Sequence, residues 1–272
     1  MNICANIYLT WKCNFKCAHC IHSCDMSGEH MSHNNLVKSL QTIEWMINNP
    51  ALNLTVLGIT GGEPTLHPEF WDLVIPTLAN FRKAYPKVPI ELHANASVLI
   101  PRDEFKLQYS KLFSKMYIGR DIFHDQFRKP EQLFLSDYEY FVNEIALRKN
   151  AYPVNDGRMY SLIKQKGRGA DIKISPDRSR RLECACYTNS GHYALLTAFT
   201  PTHICFCGER AAKSVVIDNK VAMGYDYTRG EEVIEKAFYY NQLYSGKNCD
   251  QPCMADLVCT NDFINPALDT NA

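Results

Sequence analysis

The sequence predicts an α/β fold: a parallel sheet with helices outside it, an open sheet or a partial barrel, followed by a small α+β segment of hairpins and one helix. Apolar runs of strand length alternate with amphipathic runs of helix length as far as about Ile174, the pattern of repeated β-α-β units. Beyond that point short strand-like runs are separated by turn residues. The cysteines also divide the chain, falling into one group from Cys4 to Cys24 and a second from Cys184 to Cys259 with none between. The expected units are therefore residues 1–175, residues 176–264 and a loose tail at 265–272.

The first strand is expected over Ile3 to Trp11, delivering a cysteine-rich loop at its C-terminal end, where active groups sit in parallel α/β architectures. The loop runs on through Cys24, His30 and His33. Leu36, Leu40, Ile43 and Ile47 then recur at helical spacing, and Asn48-Asn49-Pro50 stops the run. A buried strand over Leu52 to Thr60 empties into Gly61-Gly62-Glu63-Pro64. A second helix carries Phe70, Leu73, Val74, Leu78 and Phe81 on one side, and a strand follows from Pro89 to Ala96. Phe105, Tyr109 and Leu112 mark a third helix, and Met116 to Ile118 a short strand. Ser136-Asp137-Tyr138-Glu139 reads as a capping box opening a fourth helix with Tyr138, Phe141 and Ile145 on its apolar face. In the second segment Ser190-Gly191 and Thr200-Pro201 flank a strand-like run from Tyr193 to Phe199. Ser214 to Ile217 and Val221 to Met223 form a hairpin around Asp218-Asn219, and Glu232 to Tyr244 forms a helix.

A chain of 272 residues with 46% hydrophobic and 21% charged residues has ample apolar surface for a core. Lysine plus arginine and aspartate plus glutamate both number 29, so bulk electrostatics indicate no nucleic-acid partner. Met1-Asn2-Ile3-Cys4-Ala5 shows no basic leader, and no long apolar segment follows. The expectation is a cytoplasmic chain without signal peptide or membrane span. In such a compartment 12 cysteines point to metal chemistry rather than to disulfides, and their two groups to two metal sites.

The stretch Cys13-Asn14-Phe15-Lys16-Cys17-Ala18-His19-Cys20 organises this reading. Three thiols at C-x3-C-x2-C spacing reach three irons of one cubane cluster and leave the fourth iron without a protein ligand. An open iron invites a small chelating molecule, and the amino and carboxylate group of S-adenosylmethionine (SAM) is one candidate. A structural zinc knuckle is the alternative, although such sites usually pair two C-x2-4-C units.

The cysteine loop after the first strand, with Gly61-Gly62-Glu63-Pro64 after the second, resembles the radical SAM superfamily. The resemblance implies a partial (β/α)6 TIM-like barrel, with Cys13, Cys17 and Cys20 holding a 4Fe-4S cluster and His19 beside the adenine. It implies further that Gly61 and Gly62 admit the methionine part of SAM, with Pro64 in the same loop, and that Glu63 accepts from its ammonium group directly or through neighbours. His93-Ala94-Asn95-Ala96 resembles the Thr-Asn-Gly that often ends the third strand, retaining only Asn95 as a polar contact. Gly119-Arg120-Asp121 stands where Ser-x-Asp is common. Arg120, Asp121 and His124 are candidates to line the pocket as catalytic groups, or else form a solvated loop with an ion pair. Gly167-Arg168-Gly169 resembles the element that closes this barrel, with Arg168 placed to reach a carboxylate.

The later cysteines resemble the auxiliary-cluster domains called SPASM in the long form and twitch in the short one. Cys186, Cys205, Cys249 and Cys253 fit their order, with Cys184, Cys207 and Cys259 as substitutes; one auxiliary 4Fe-4S cluster is expected, and zinc on four thiols is the alternative. Compact relatives include an aminocyclitol dehydrogenase, and longer ones modify ribosomal peptides. The implied activity is oxidation of a small polar molecule or a peptide side chain, with an electron donor such as flavodoxin or ferredoxin. A peptide maturase forming a cross-link or an epimer is the second reading, and a non-enzymatic cysteine-rich metal protein the third. About ten residues precede the cysteine loop, so no fused peptide-recognition domain is expected.

Overall fold

The computed structural model describes residues 2–18, 20, 22–98, 109–120, 122–128, 138–139, 141–148, 151–153, 159–161, 194–202, 204–206, 216–217, 220–221, 227, 230–231 and 234. Its centre is strand β1, Asn2–Thr10. Around it run α1 (His33–Asn48), β2 (Asn53–Gly61), α2 (Ile75–Ala84), β3 (Ile90–Ala94), β4 (Lys115–Gly119) and β5 (Ile145–Arg148). There follow β6 (Ala151–Pro153), β7 (Met159–Ser161), β8 (Ala194–Phe199), β9 (Ile204–Phe206), β10 (Val216–Ile217) and β11 (Lys220–Val221). The main sheet has seven strands in the order β5-β4-β3-β2-β1-β8-β9. All neighbours in it are parallel except β8 and β9, which form an antiparallel hairpin. The fold is thus α/β around six parallel strands, as the alternation of apolar runs predicts.

Strands β1 to β4 share one apolar core. Ile3, Ala5, Ile7 and Leu9 of β1 join Leu57 and Ile59 of β2, Ile90 and Leu92 of β3, and Met116 and Ile118 of β4 in one apolar cluster. Helix α1 closes it with Leu36, Leu40, Ile43 and Met46, and α2 with Ile75, Leu78 and Phe81. Each such Leu, Ile or Phe contributes about 1.5–3 kcal/mol by leaving water. Ser32 starts α1 by accepting from Asn35 N at 3.2 Å, and Asn49 ends it before Pro50.

Several expected elements take a different form. The second helix begins with a π turn over Phe70–Val74 before α2. The wider turn shifts the helical phase, so Leu73 is exposed while Phe70, Val74 and Ile75 are buried. The fourth helix does not extend to Ile145. Tyr138 and Phe141 are buried as expected, but Ile145 opens β5 and pairs with Met116. Positions 138, 141 and 145 fit a helical face, yet pairing with the edge of β4 overrides that local pattern. Ser136 and Asp137 of its capping box lie outside the described residues, as does Phe105 of the third helix; Leu112 of that run packs into the core. Strand β8 lies parallel to β1, from Asn2 opposite Ala194 to Ile7 opposite Phe199. The large sheet therefore takes in a strand from beyond residue 175. The hairpin expected around Asp218-Asn219 is present as β10 and β11. Of the expected C-terminal helix, Ile234 is described and helical, as are Gly230 and Glu231 just before its expected start.

Candidate active site

Parallel pairing brings the C-terminal ends of β1 to β4 to one edge of the sheet, and the cysteine loop folds back over that edge. Trp11 N donates to Glu29 O and Cys13 N to Asp25 O, both at 2.8 Å, while Met31 N donates to Leu9 O at 2.8 Å. Thr10 Oγ1 donates to Glu29 O at 3.0 Å and accepts from Lys12 N at 2.9 Å. Residues 25 to 31 thus act as a strap that holds the ascending arm of the loop.

The end of β2 presses against this arm. Gly62 N donates to Thr10 O at 2.7 Å and Glu63 N to Lys12 O at 2.8 Å. Gly61 has φ 138, and a Cβ there would lie 2.3 Å from Thr10 O; at Gly62 it would lie 2.3 Å from Lys12 O. Two glycines are required because two backbones meet there. The resemblance alone assigned them to the methionine of SAM.

One cavity of about 200 Å3 opens at this edge, lined by Cys13, Cys17, Cys20, Cys24, Gly61, Gly62, His93, Asn95, Tyr117 and His124, together with Phe15, Thr60, Ala94 and Gly119. It gathers all three motif thiols with the two glycines, Asn95 and His124 of the expected site. The donor set, three thiols converging on one cavity, fits an iron-sulfur cluster. Burial pushes the Cys13 thiol up to about 12, partly offset by the Phe15 N–H that donates to its sulfur at 3.4 Å. Binding iron there must therefore expel a proton, and the metal charge compensates the burial. Among the described residues no three His, Cys, Asp or Glu side chains close tightly enough to hold a single metal ion.

Glu63 sits behind the cavity wall and not on it. It is fully buried. Its Oε1 accepts from Thr65 N at 3.2 Å and Thr65 Oγ1 at 2.5 Å, and its Oε2 from Asn95 N at 2.5 Å. Burial raises its pKa, against the pull of Thr65, Asn95 and Arg128. Glu63 acts here as a tie between the ends of β2 and β3, while Pro64 opens the short 3-10 turn Pro64–Leu66. Asn95 carries the tie onward, donating from Nδ2 to Asn14 Oδ1 at 2.9 Å in the cysteine loop.

Ala96 adopts φ 56. The left-handed turn that glycine favours after Asn95 is thus kept by an alanine. At the end of β4, Gly119 leaves room for His124, whose ring atoms would lie 2.5 Å from a Cβ at position 119. His93 stacks on Tyr117 with ring centroids 4.9 Å apart, so two ring side chains that the motifs do not mark form the cavity's polar wall. Arg120 pairs with Asp125 at 3.0 Å and does not line the cavity, which corresponds to the ion-pair alternative. His19, Asp121, Arg168, Cys186, Cys249 and Cys253 lie outside the described residues, and Cys205 falls on β9. A residue the sequence reading missed is Arg128. It bridges Asn95 O at 2.8 Å and Gly119 O at 3.0 Å, and no motif or periodicity marks it.

No protein-family model and no curated protein matches this chain. Among solved structures, it is similar to native anSMEcpe with bound AdoMet and Kp18Cys peptide, with 16% identity, 56% of this chain and 44% of that one covered and a TM-score of 0.41. The chain thus spans less than half the length of that protein. BtrN in complex with AdoMet and 2-DOIA is similar at 12% identity over 84% of this chain and 79% of that one, with a TM-score of 0.45. Streptococcus suis SuiB bound to S-adenosylmethionine is similar at 11% identity over 90% and 68%, with a TM-score of 0.47. Among the described residues no helix is long and apolar enough to cross a membrane.

Proposed function

We propose that this chain is a radical SAM enzyme whose cluster is held by Cys13, Cys17 and Cys20. The observation that carries the proposal is the convergence of those three cysteines and the Gly61-Gly62 loop on one cavity at the strand ends. When bound, a 4Fe-4S cluster with an open iron supplies the electron that splits SAM into methionine and a 5'-deoxyadenosyl radical able to take hydrogen from an unactivated carbon. The protein's own part is positional. Gly61 and Gly62 bring the β2 loop against the cysteine loop, Glu63 and Asn95 lock the ends of β2 and β3, and the buried Phe15 and Cys24 help keep water from the thiols. His93 and Tyr117 offer hydrogen-bonding groups to a polar substrate, either a small molecule or a peptide side chain.

The finer reading is an oxidoreductase. Cys186, Cys205, Cys249 and Cys253 hold an auxiliary 4Fe-4S cluster of the twitch or SPASM kind, which accepts an electron from the substrate radical. Flavodoxin or ferredoxin supplies the first electron. Its support is the order of these cysteines around a hairpin, together with the β8-β9 pairing that carries Cys205. Replacing Cys249 and Cys253 together should lower iron from about eight to about four per chain, one cubane's worth, and leave SAM cleavage intact. A double variant that keeps about eight irons overturns the ligand assignment. One that loses four and still forms product makes the second cluster structural and favours a redox-neutral outcome such as epimerisation.

A further inference from the structure

The guanidinium of Arg128 is tied into the site by three elements. Its Nη2 donates to Asn95 O at the end of β3 and to Gly119 O at the end of β4, at 2.8 and 3.0 Å. Its Nη1 donates to Asp125 Oδ1 at 2.5 Å. Its carbon lies 5.8 Å from the centre of the Phe15 ring, in the segment between Cys13 and Cys17. The side chain is only 5% exposed, and its Nε is buried with no hydrogen-bond partner among the described residues. Backbone hydrogen bonds alone would make Arg128 a splice between two strand ends. Its charge makes it more than that, since a guanidinium stays protonated even when buried.

Resting on the reading of the cavity as a cluster site, we propose that Arg128 is a positioning residue whose buried charge raises the reduction potential of the cluster held by Cys13, Cys17 and Cys20, with Asp125 as its counter-charge. Reduction adds one electron, from flavodoxin, ferredoxin or a chemical donor, to a cluster already ringed by thiolates. A fixed cation nearby stabilises the added charge, and net local charge is one of the levers on such potentials. Asn95 and Gly119, whose carbonyls Arg128 holds, and Phe15, whose ring it faces, all line the cavity with Cys17, which places the cation beside the expected cluster site. The neutralising partner is incomplete. Asp125 is 42% exposed and is shared with Arg120, so solvent weakens its field while that of Arg128 acts through the protein.

The test is a redox titration, followed by electron paramagnetic resonance, of the anaerobically reconstituted full chain. Arg128→Gln should shift the reduction equilibrium about tenfold toward the oxidised cluster, which is about 59 mV for one electron. Arg128→Lys keeps the charge and should stay close to the unsubstituted protein. Asp125→Asn should move the potential the other way, upward and by less. A role confined to hydrogen bonding would not give shifts of opposite sign. If Arg128→Gln takes up no iron, the Asp125→Asn arm decides alone: a rise supports the proposal and no change overturns it. A cluster that forms normally but whose potential is unmoved, or moves in the same direction in both variants, overturns this proposal and leaves the cluster assignment standing. An unsubstituted chain that binds no cubane overturns both.

Discussion

On β1 the odd-numbered residues Ile3, Ala5, Ile7 and Leu9 are fully buried among the apolar side chains of α1, α2 and the neighbouring strands. The even-numbered residues face the other way. There Cys4 meets Thr55 at 3.2 Å, Asn6 lies against Gly58, and Tyr8 packs on Trp11 and His22 with ring centroids 5.1 and 5.2 Å away. The same division continues along the sheet. On β3, Ile90 and Leu92 alternate with Glu91 and His93, and on β4, Met116 and Ile118 alternate with Lys115 and Tyr117. Alternate side chains of a strand point to opposite faces, so a single stretch of backbone serves two purposes. One face builds the main apolar core, and the other carries the polar and ring side chains that face the cysteine loop and the cavity.

The largest stability effect should come from the buried face. Ile7→Ala removes a fully buried side chain and should cost about 2–5 kcal/mol in denaturant unfolding. Asn6→Ala, one position away on the other face, should cost less than about 1 kcal/mol. Equal costs would break the comparison between the two faces.

Glu63 sharpens it, because it is a buried charge on the side of the cavity. Glu63→Gln leaves backbone donors of Thr65 and Asn95 poorly met and should cost about 1–3 kcal/mol. The cost should depend on pH. Burial raises the Glu63 pKa above the ordinary 4.5. A group with a raised folded pKa contributes stability that is fully present below its unfolded value and is lost as pH rises through the folded one. The wild-type advantage over Glu63→Gln should therefore be largest near pH 4 and shrink toward pH 8, about the range over which unfolding is easily followed. An advantage that grows with pH would mean that the hydrogen bonds outweigh burial.

The smallest effect is expected at Ala96. A left-handed conformation costs an alanine about 1–2 kcal/mol, and glycine's greater freedom when unfolded returns about 0.5–1 kcal/mol of that. Ala96→Gly should thus stabilise by up to about 1 kcal/mol, read as a shift in the denaturant midpoint. A loss of stability would show that the methyl group's packing exceeds the backbone strain.

Much of the site was legible because its signals are local. The spacing of Cys13, Cys17 and Cys20 and the paired glycines each sit directly after an apolar strand, and parallel pairing then brings the two loops together without further information. What was not legible depends on tertiary closure. Arg128 follows a loop with no periodicity, and its role exists only because the ends of β3 and β4 lie side by side. Glu63 carries the motif, but its place behind the wall, held by the backbone of Asn95, depends on β3 arriving beside β2. Leu73 was misplaced because an added residue in a π turn leaves no mark in an apolar pattern. Ile145 was misplaced because three apolar positions fit a helix until a strand edge claims the last of them. Ala96 reads in the sequence as a departure from a motif, while the backbone of that motif is kept at the cost of strain.

The central claim is that the cavity bounded by Cys13, Cys17 and Cys20 splits SAM. The direct measurement is release of 5'-deoxyadenosine on anaerobic incubation of the reconstituted chain with SAM and a strong reductant, beside the Cys13→Ala, Cys17→Ala and Cys20→Ala variants. The predicted result is release by the unsubstituted chain and none by any of the three, with circular dichroism showing the fold retained because the buried face is untouched. Full release by any one variant, or none from an unsubstituted chain with a fully loaded cluster, would contradict it.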